Sequence, residues 1–296
     1  MRMKDYIGLG RFFTGRAMAA AGKGEEAGGS YRDLLMREFG EGYSEITKSF
    51  DLLGNIAIID ADKKSAKRIA RILMATHRRV ETVLRKEGAV EGRYRIRKYS
   101  FVAGKRNYVA RYTENGATFV FDVRKTFFSP RLAYERKRIV DMAKDGENVV
   151  VMFAGVGPFA IEIAKRNRNS SVVAIELNKD SHAYMKDNIR LNKTPNVIPI
   201  LGDASRPGRK YQGFADRIIM PLPMDSFRFM GAALKMARKG CTVHYYALSE
   251  SDGRDEIARL RKFVSGKGRR FVLVGKREAR PYSARSSEMA IDFTVR

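Results

Sequence analysis

From residue 132 onward the 296-residue chain repeats one unit: a short apolar run that reads as a strand, then a segment with apolar residues at helical spacing. Strands are predicted over 149–153, 172–176, 197–201, 217–220 and 242–247. Helices are predicted over 132–144, from residue 159, and over 181–191, 226–237 and 254–264. A helix between consecutive strands carries the chain back to where it began, so the strands lie parallel and the sheet is covered on both faces. Two closing strands, 271–274 and 289–295, have no helix between them and suit an antiparallel hairpin at the sheet edge. The pattern predicts an α/β domain over 126–296 on a mostly parallel, seven-stranded, Rossmann-like sheet.

The preceding chain follows another rule. Residues 1–30 are rich in Gly and Ala and suit a flexible lead, and YRDLLMREF reads as a short helix, so 1–49 is expected to carry no core of its own. A compact unit begins at residue 50. NIAIID reads as a strand, and 63–77 as a helix with Ile69, Ile72 and Leu73 on one side. Strand-like runs follow at 80–84, 94–102, 108–112 and 117–123, with Glu114-Asn115-Gly116 as a turn. The order β-α-β-β-β predicts a small α+β domain over 50–125.

Charge says what this unit is for. The chain holds 58 Lys and Arg against 33 Asp and Glu, a net charge of +25, and residues 50–125 alone hold 18 basic and 8 acidic side chains. Such an excess fits a protein that holds a polyanion. Arg93, Arg95, Arg97 and Lys98 sit in one strand-like stretch together with Tyr94 and Tyr99. Alternate arginines of a strand would share a face, as in an RNA-contacting surface. A solvated basic edge strand would have the same sequence. The single cysteine, Cys241, excludes a disulfide framework, a four-thiolate zinc site and an iron–sulfur cluster; with only three histidines, no metal site is expected. No apolar run approaches the roughly 20 residues that span a bilayer, and the N-terminus lacks the apolar core of a signal peptide. A cytoplasmic protein that makes no use of membranes is expected.

The motifs sit where a parallel sheet binds ligands, at the carboxyl ends of its strands. Phe153-Ala154-Gly155-Val156-Gly157 lies between a strand and a helix, and its glycines allow a sharp turn and close backbone approach. Glu176 ends the next strand, 21 residues beyond Gly155, where an acid can hold two ribose hydroxyls. Ala160 stands where a dinucleotide fingerprint would end in glycine, which tilts the reading away from NAD. Gly202-Asp203-Ala204 ends the third strand, where an acid can bond an adenine amino group. Met220-Pro221-Leu222-Pro223 ends the fourth, a rigid bend expected to offer free carbonyls.

FFSPRLAYERKRI, VMFAGVGPFAI, AIELN, NIRLN, GDA, DRIIMPLP, HYY and RPYS…IDF together resemble the archaeal and eukaryotic tRNA (guanine-37-N1)-methyltransferase family. The strand count is also that of a class I methyltransferase. SFDLLGNIAIID, VETVLRKEGAVEGRYRIRKYSFVAG and ENGATFVFDVRK resemble the same family's middle domain, so the likeness runs over 31–296. The resemblance implies S-adenosylmethionine as methyl donor and N1 of guanosine-37, beside the anticodon, as acceptor, in an enzyme expected to be a monomer. It implies Glu135 as general base and Arg95 as the residue that stabilises the guanine O6, with Arg97 as the alternative by register. The cofactor pocket it implies comprises Phe153, Ala154, Gly155, Val156 and Gly157, then Glu176, Asp203, Ala204, Pro221, Leu222 and Pro223, together with Arg131. Glu135 could equally be half of a helix-surface ion pair.

Two positions depart from the family. Val151 stands where an acidic residue is usual, which bears on recognition of the methionine amino group. Pro221 stands where Asn is frequent, which removes a side-chain amide near the base. The alternatives are a wybutosine-pathway enzyme, transferring the aminocarboxypropyl group or methylating a tricyclic guanine, and a non-catalytic RNA-binding relative.

Overall fold

The computed structural model describes residues 29–206, 208–283 and 285–296; the greater part of the expected Gly/Ala-rich lead, residues 1–28, lies outside the described residues. The small unit runs α1 (Tyr31–Phe39), β1 (Phe50–Leu53), β2 (Ile56–Ile59), α2 (Lys63–Thr76), β3 (Thr82–Glu91) and β4 (Ile96–Gly104). α2 starts where the Asp62 carboxylate accepts from the amides of Lys64 (2.6 Å) and Ser65 (3.0 Å), a side-chain cap. The helix is the crossover between β2 and β3, which are parallel; β1 and β4 pair antiparallel on either side.

β5 (Val109–Glu114) and β6 (Ala117–Asp122) form a hairpin about Asn115 and Gly116, both at positive φ. The catalytic-type unit continues with α3 (Ala133–Met142), β7 (Asn148–Met152), α4 (Pro158–Arg166), β8 (Ser171–Glu176), α5 (Lys179–Asn192) and β9 (Val197–Leu201). Then come β10 (Ala215–Met220), α6 (Met230–Met236), β11 (Ala237–Ser249), α7 (Arg254–Ser265), β12 (Phe271–Pro281) and β13 (Ser287–Val295). The sheet order is β12-β13-β11-β10-β7-β8-β9, parallel except for β13. The closing hairpin forms as expected, with the last strand seated inside, between β11 and β12. Strand order reverses between β7 and β10, which opens the crevice where such sheets bind ligands.

The hairpin departs from the sequence reading. The four-stranded sheet is β1-β2-β3-β4, and β5 and β6 pair only with each other. β6 instead meets α5. The amides of Thr118 and Val120 donate to Asn192 Oδ1 (2.9 Å) and Asn188 Oδ1 (2.8 Å), and Asn192 Nδ2 returns a bond to Thr118 O at 2.7 Å. Two side-chain amides on one helix face thus satisfy a strand edge that would otherwise recruit another strand. Phe119 and Phe121 are buried against Phe128 in the core beneath β7. Truncating either to Ala is expected to destabilise by about 3–5 kcal/mol.

The two units share a core. Ile56 and Ile58 of β2 and Leu84 of β3 pack with the α3–α4–α5 face of the large sheet, while Ala57, Ile59 and Val83, alternating with them, face α1 and α2. Strand β2 is buried on both faces, which fixes the small sheet against the large one.

Candidate active site

The turn after β7 is set by three positive-φ residues, Phe153 (56°), Gly155 (58°) and Gly157 (92°). A Cβ on Gly157 would sit 3.0 Å from both Ile161 Cδ1 and Met185 Cγ, so handedness and space both demand glycine. A Cβ on Gly155 would meet only Phe127 O at 3.7 Å; its open side is where a ligand can approach the backbone. Gly155 N donates to Glu176 Oε2 (2.7 Å) and Asn178 N to Oε1 (2.7 Å). Burial pushes the Glu176 carboxyl up, and these amides oppose it. Each carboxylate oxygen keeps a further lone pair for a ribose hydroxyl. The glycine loop and the acid therefore fit a bound adenosine.

Asp203 follows β9. The Ser205 amide (2.9 Å) and, beyond it, Arg93 Nη2 (2.7 Å) hold its carboxyl below the usual range. Ala204 beside it is buried. At the fourth strand end three of the expected free carbonyls are engaged: Met220 O and Leu222 O accept from Ser226 Oγ at 3.0 and 2.9 Å, and Pro223 O accepts from Leu248 N at 3.1 Å. The bend after β10 is therefore a wall tied to its own helix start, with Phe153 packed edge-on to Phe229, 4.7 Å between ring centres. Arg131 is not drawn to this pocket. Its Nε donates to Asp51 of β1 at 2.8 Å, joining the two units.

The three arginines do not share a strand face. β3 and β4 are joined by a turn over 92–95, so Arg93 and Arg95 lie before β4, and Arg95 has φ 54°. Arg93 reaches Asp203; Arg97 donates to Gly88 O within its own hairpin at 2.6 Å; Lys98 is exposed on β4 opposite Glu87. Arg95 lies over Phe127, 5.3 Å from the ring centre, and burial lowers its proton affinity, opposed mainly by the Glu288 charge.

Glu135 is no surface ion pair: it is 2% exposed. Tyr246 on β11 donates its hydroxyl to Glu135 Oε1 at 2.7 Å, and Arg138 donates from Nη2 at 2.6 Å and from Nε at 3.0 Å. Arg138 also reaches Asp292 Oδ2 (2.5 Å), Asp292 Oδ1 meets His244 Nδ1 (2.6 Å), and Arg217 donates to His244 Nε2 (2.6 Å) and to Glu147 (2.7 Å). Burial pushes the His244 imidazole down, and its bond to Asp292 opposes that. Burial alone would raise Asp292, but His244 and Arg138 hold it down at about 2. Removing one member strands a buried charge, at a cost of about 3–5 kcal/mol. The Tyr246 ring lies 6.3 Å from that of Phe159, at the start of α4, so the carboxylate and the glycine loop share one wall. Sequence reading reached Glu135 but not Arg138, Asp292 or Arg217; the HYY run was the only local signal for His244 and Tyr246. Cys241 is buried core, its thiol pushed up to about 12 by burial.

Comparison with known proteins shows what the chain is similar to. The TRM5/TYW2 methyltransferase domain matches residues 110–268 and the TYW2 N-terminal domain matches 31–107. A tRNA (guanine(37)-N(1))-methyltransferase Trm5b from Pyrococcus abyssi is 39% identical over 276 residues, 90% of this chain and 80% of that one. The solved complex of aTrm5 with tRNALeu superposes with a TM-score of 0.82 at 29% identity, covering 90% of this chain and 78% of that one. TYW2 of Pyrococcus horikoshii in complex with MeSAdo superposes with a TM-score of 0.73 at 25% identity, covering 90% and 97%.

Proposed function

Because the chain belongs to the TRM5/TYW2 methyltransferase family, we propose that it transfers the methyl group of S-adenosylmethionine to N1 of guanosine-37 in tRNA. One observation carries the reading: Tyr246 donates to the buried Glu135 carboxylate while its ring lies 6.3 Å from that of Phe159, on α4 just after the glycine loop, so a base sits beside a nucleoside pocket. The cofactor, when bound, supplies an electrophilic methyl on a sulfonium whose carbon–sulfur electron pair stays with sulfur. Glu176 holds the ribose hydroxyls, Asp203 the adenine amino group, and the Pro221–Pro223 bend walls the pocket. N1 of guanine bears a proton at neutral pH; Glu135 takes it as N1 bonds to the methyl carbon. Charge moves onto O6, and Arg95, carried by the β3–β4 turn, stabilises it. Arg93, Arg97 and Lys98 give the small unit its RNA-facing charge. The enzyme acts as a cytoplasmic monomer.

Incubating tRNA with donor labelled on the methyl group or on the methionine carboxyl tests the reaction. Label from the methyl group alone is expected, with guanosine-37 required. The match of residues 31–107 to the TYW2 N-terminal domain favours a second reading, aminocarboxypropyl transfer to a modified guanine, which would deliver carboxyl label instead.

A further inference from the structure

Buried polar atoms are normally paired, and an unpaired one calls for an explanation. Among the described residues, two guanidinium Nε atoms are buried without a hydrogen-bond partner, on Arg95 and on Arg277. The first is already part of the proposed site. The second is not, and it lies beside the proposed base: Arg277 Nε is 3.8 Å from Glu135 Oε2, beyond hydrogen-bond length. The Arg277 side chain is 37% exposed, and its guanidinium lies 5.2 Å from the ring centre of Tyr134, itself 71% exposed. Arg277 thus joins a solvent-facing platform to a buried carboxylate, with one donor unused.

A carboxylate acceptor beside an unpaired donor complements one particular edge. Guanine presents N1–H next to the O6 acceptor; adenine presents an acceptor at N1 next to the N6 amino donors, which is the reverse polarity. With N1–H at Glu135, the neighbouring O6 falls on the side where a donor is required. We infer that Arg277 is a second substrate-facing arginine, whose Nε–H donates to O6 of the guanine that Glu135 deprotonates. This rests on the proposed methyl transfer. As the N1 lone pair bonds the methyl carbon, the N1 proton passes to Glu135, the carbon–sulfur pair stays on sulfur, and the charge shared by N1 and O6 is met by Arg277 together with Arg95. O6 has two lone pairs, so two donors fit. The same pair of groups rejects adenine, because Arg277 would face an amino donor and Glu135 an unprotonated N1.

The test is single-turnover methylation of transcripts carrying guanosine or 6-thioguanosine at position 37, by the wild-type enzyme and by Arg277→Ala and Arg277→Gln. Removing one donor to a developing oxyanion is expected to slow methylation of guanosine by about 100-fold. S-adenosylmethionine affinity, measured by calorimetry on the same proteins, should stay unchanged and so report intact folding. Sulfur is a poor acceptor, so the ratio of guanosine to 6-thioguanosine rates should shrink in both variants. An unchanged ratio overturns the inference, and so does an unchanged guanosine rate. A purely structural effect on Glu135 would shift the pH dependence of the rate and leave the ratio intact, which also overturns it. If the wild type methylates no guanosine-37 transcript, the functional reading itself fails, and that outcome is separate from the other two.

Discussion

The two halves of the cleft are built from different materials. The nucleoside half is mostly backbone: Gly155 N and Asn178 N fix Glu176, and a Gly157 that admits no side chain fixes the turn. The acceptor half is mostly charged side chains drawn from distant segments, with Glu135 tied to Tyr246, 111 residues away, and Arg138 to Asp292, 154 residues away. A backbone-built site follows from strand topology. A side-chain network follows only from how the finished core brings its members together. Substitutions should therefore separate the halves: in the acceptor half they alter the rate, in the nucleoside half the affinity for cofactor.

The largest effect belongs to Glu135. Glu135→Gln keeps the shape and an acceptor for Tyr246 but loses the base, so the single-turnover rate should fall roughly 10²–10⁴-fold. S-adenosylmethionine and tRNA affinities should change little. An unaltered rate would return Glu135 to a structural role and leave the nucleoside half standing.

Next in size is Glu176→Ala. Two charge-assisted bonds to ribose hydroxyls are lost, each contributing about 1.5–3 kcal/mol, so the cofactor dissociation constant should rise at least about 100-fold. Binding of tRNA in the absence of cofactor should hold. A parallel loss of tRNA binding would mean that the halves are not separable.

The same contrast explains what could be read from the chain. Gly155, Gly157 and Glu176 could be placed because strand, turn, helix and next strand follow one another within about thirty residues. The helix and strand alternation was legible for the same reason. Arg93 and Arg95 were misplaced because a strand pattern does not reveal where a hairpin turns. The contact of Arg131 with Asp51 was hidden because the two lie 80 residues apart, in different units. Asn188 and Asn192, which cap the edge of β6, look like ordinary polar helix residues until the hairpin is docked on them.

A third prediction sets two buried carboxylates against each other. Asp292, flanked by His244 and Arg138, is held down at about 2, whereas Glu162 on α4 is pushed up to about 8 by burial and by the neighbouring Glu114. Its Oε2 accepts from Asn115 at 2.8 Å, which pins the hairpin turn, and its Oε1 has no hydrogen-bond partner, with Arg136 Nε 3.8 Å away. Because the folded value lies above the unfolded one of 4.5, the folded state binds a proton that the unfolded state has released. Glu162 therefore stabilises fully below that value, and the contribution is lost as pH rises to about 8. Melting temperature should decline across that window, and Glu162→Gln should flatten the decline and leave the variant the more stable protein at pH 8. An equal slope in both proteins would show that Glu162 is ionised in the fold.

The smallest effect lies where the halves touch. Arg93 extends from the small unit to Asp203, and the pair is open to solvent, with the arginine side chain 66% exposed and the aspartate 30%. Exposed ion pairs contribute about 0–1 kcal/mol. If Asp203 receives the adenine amino group, the guanidinium competes with it for Oδ2, so Arg93→Ala should tighten S-adenosylmethionine binding by about two- to fivefold in the absence of RNA. Once tRNA is present, Arg93 has a phosphate to hold, and the same substitution should weaken tRNA binding and lower its salt dependence by about one counterion. Calorimetry with cofactor alone, then tRNA titrations at two salt concentrations, reads both signs. Weaker binding of both ligands would mean that Arg93 completes the nucleoside pocket, and the division of the cleft would have to be redrawn with the β3–β4 turn on the cofactor side.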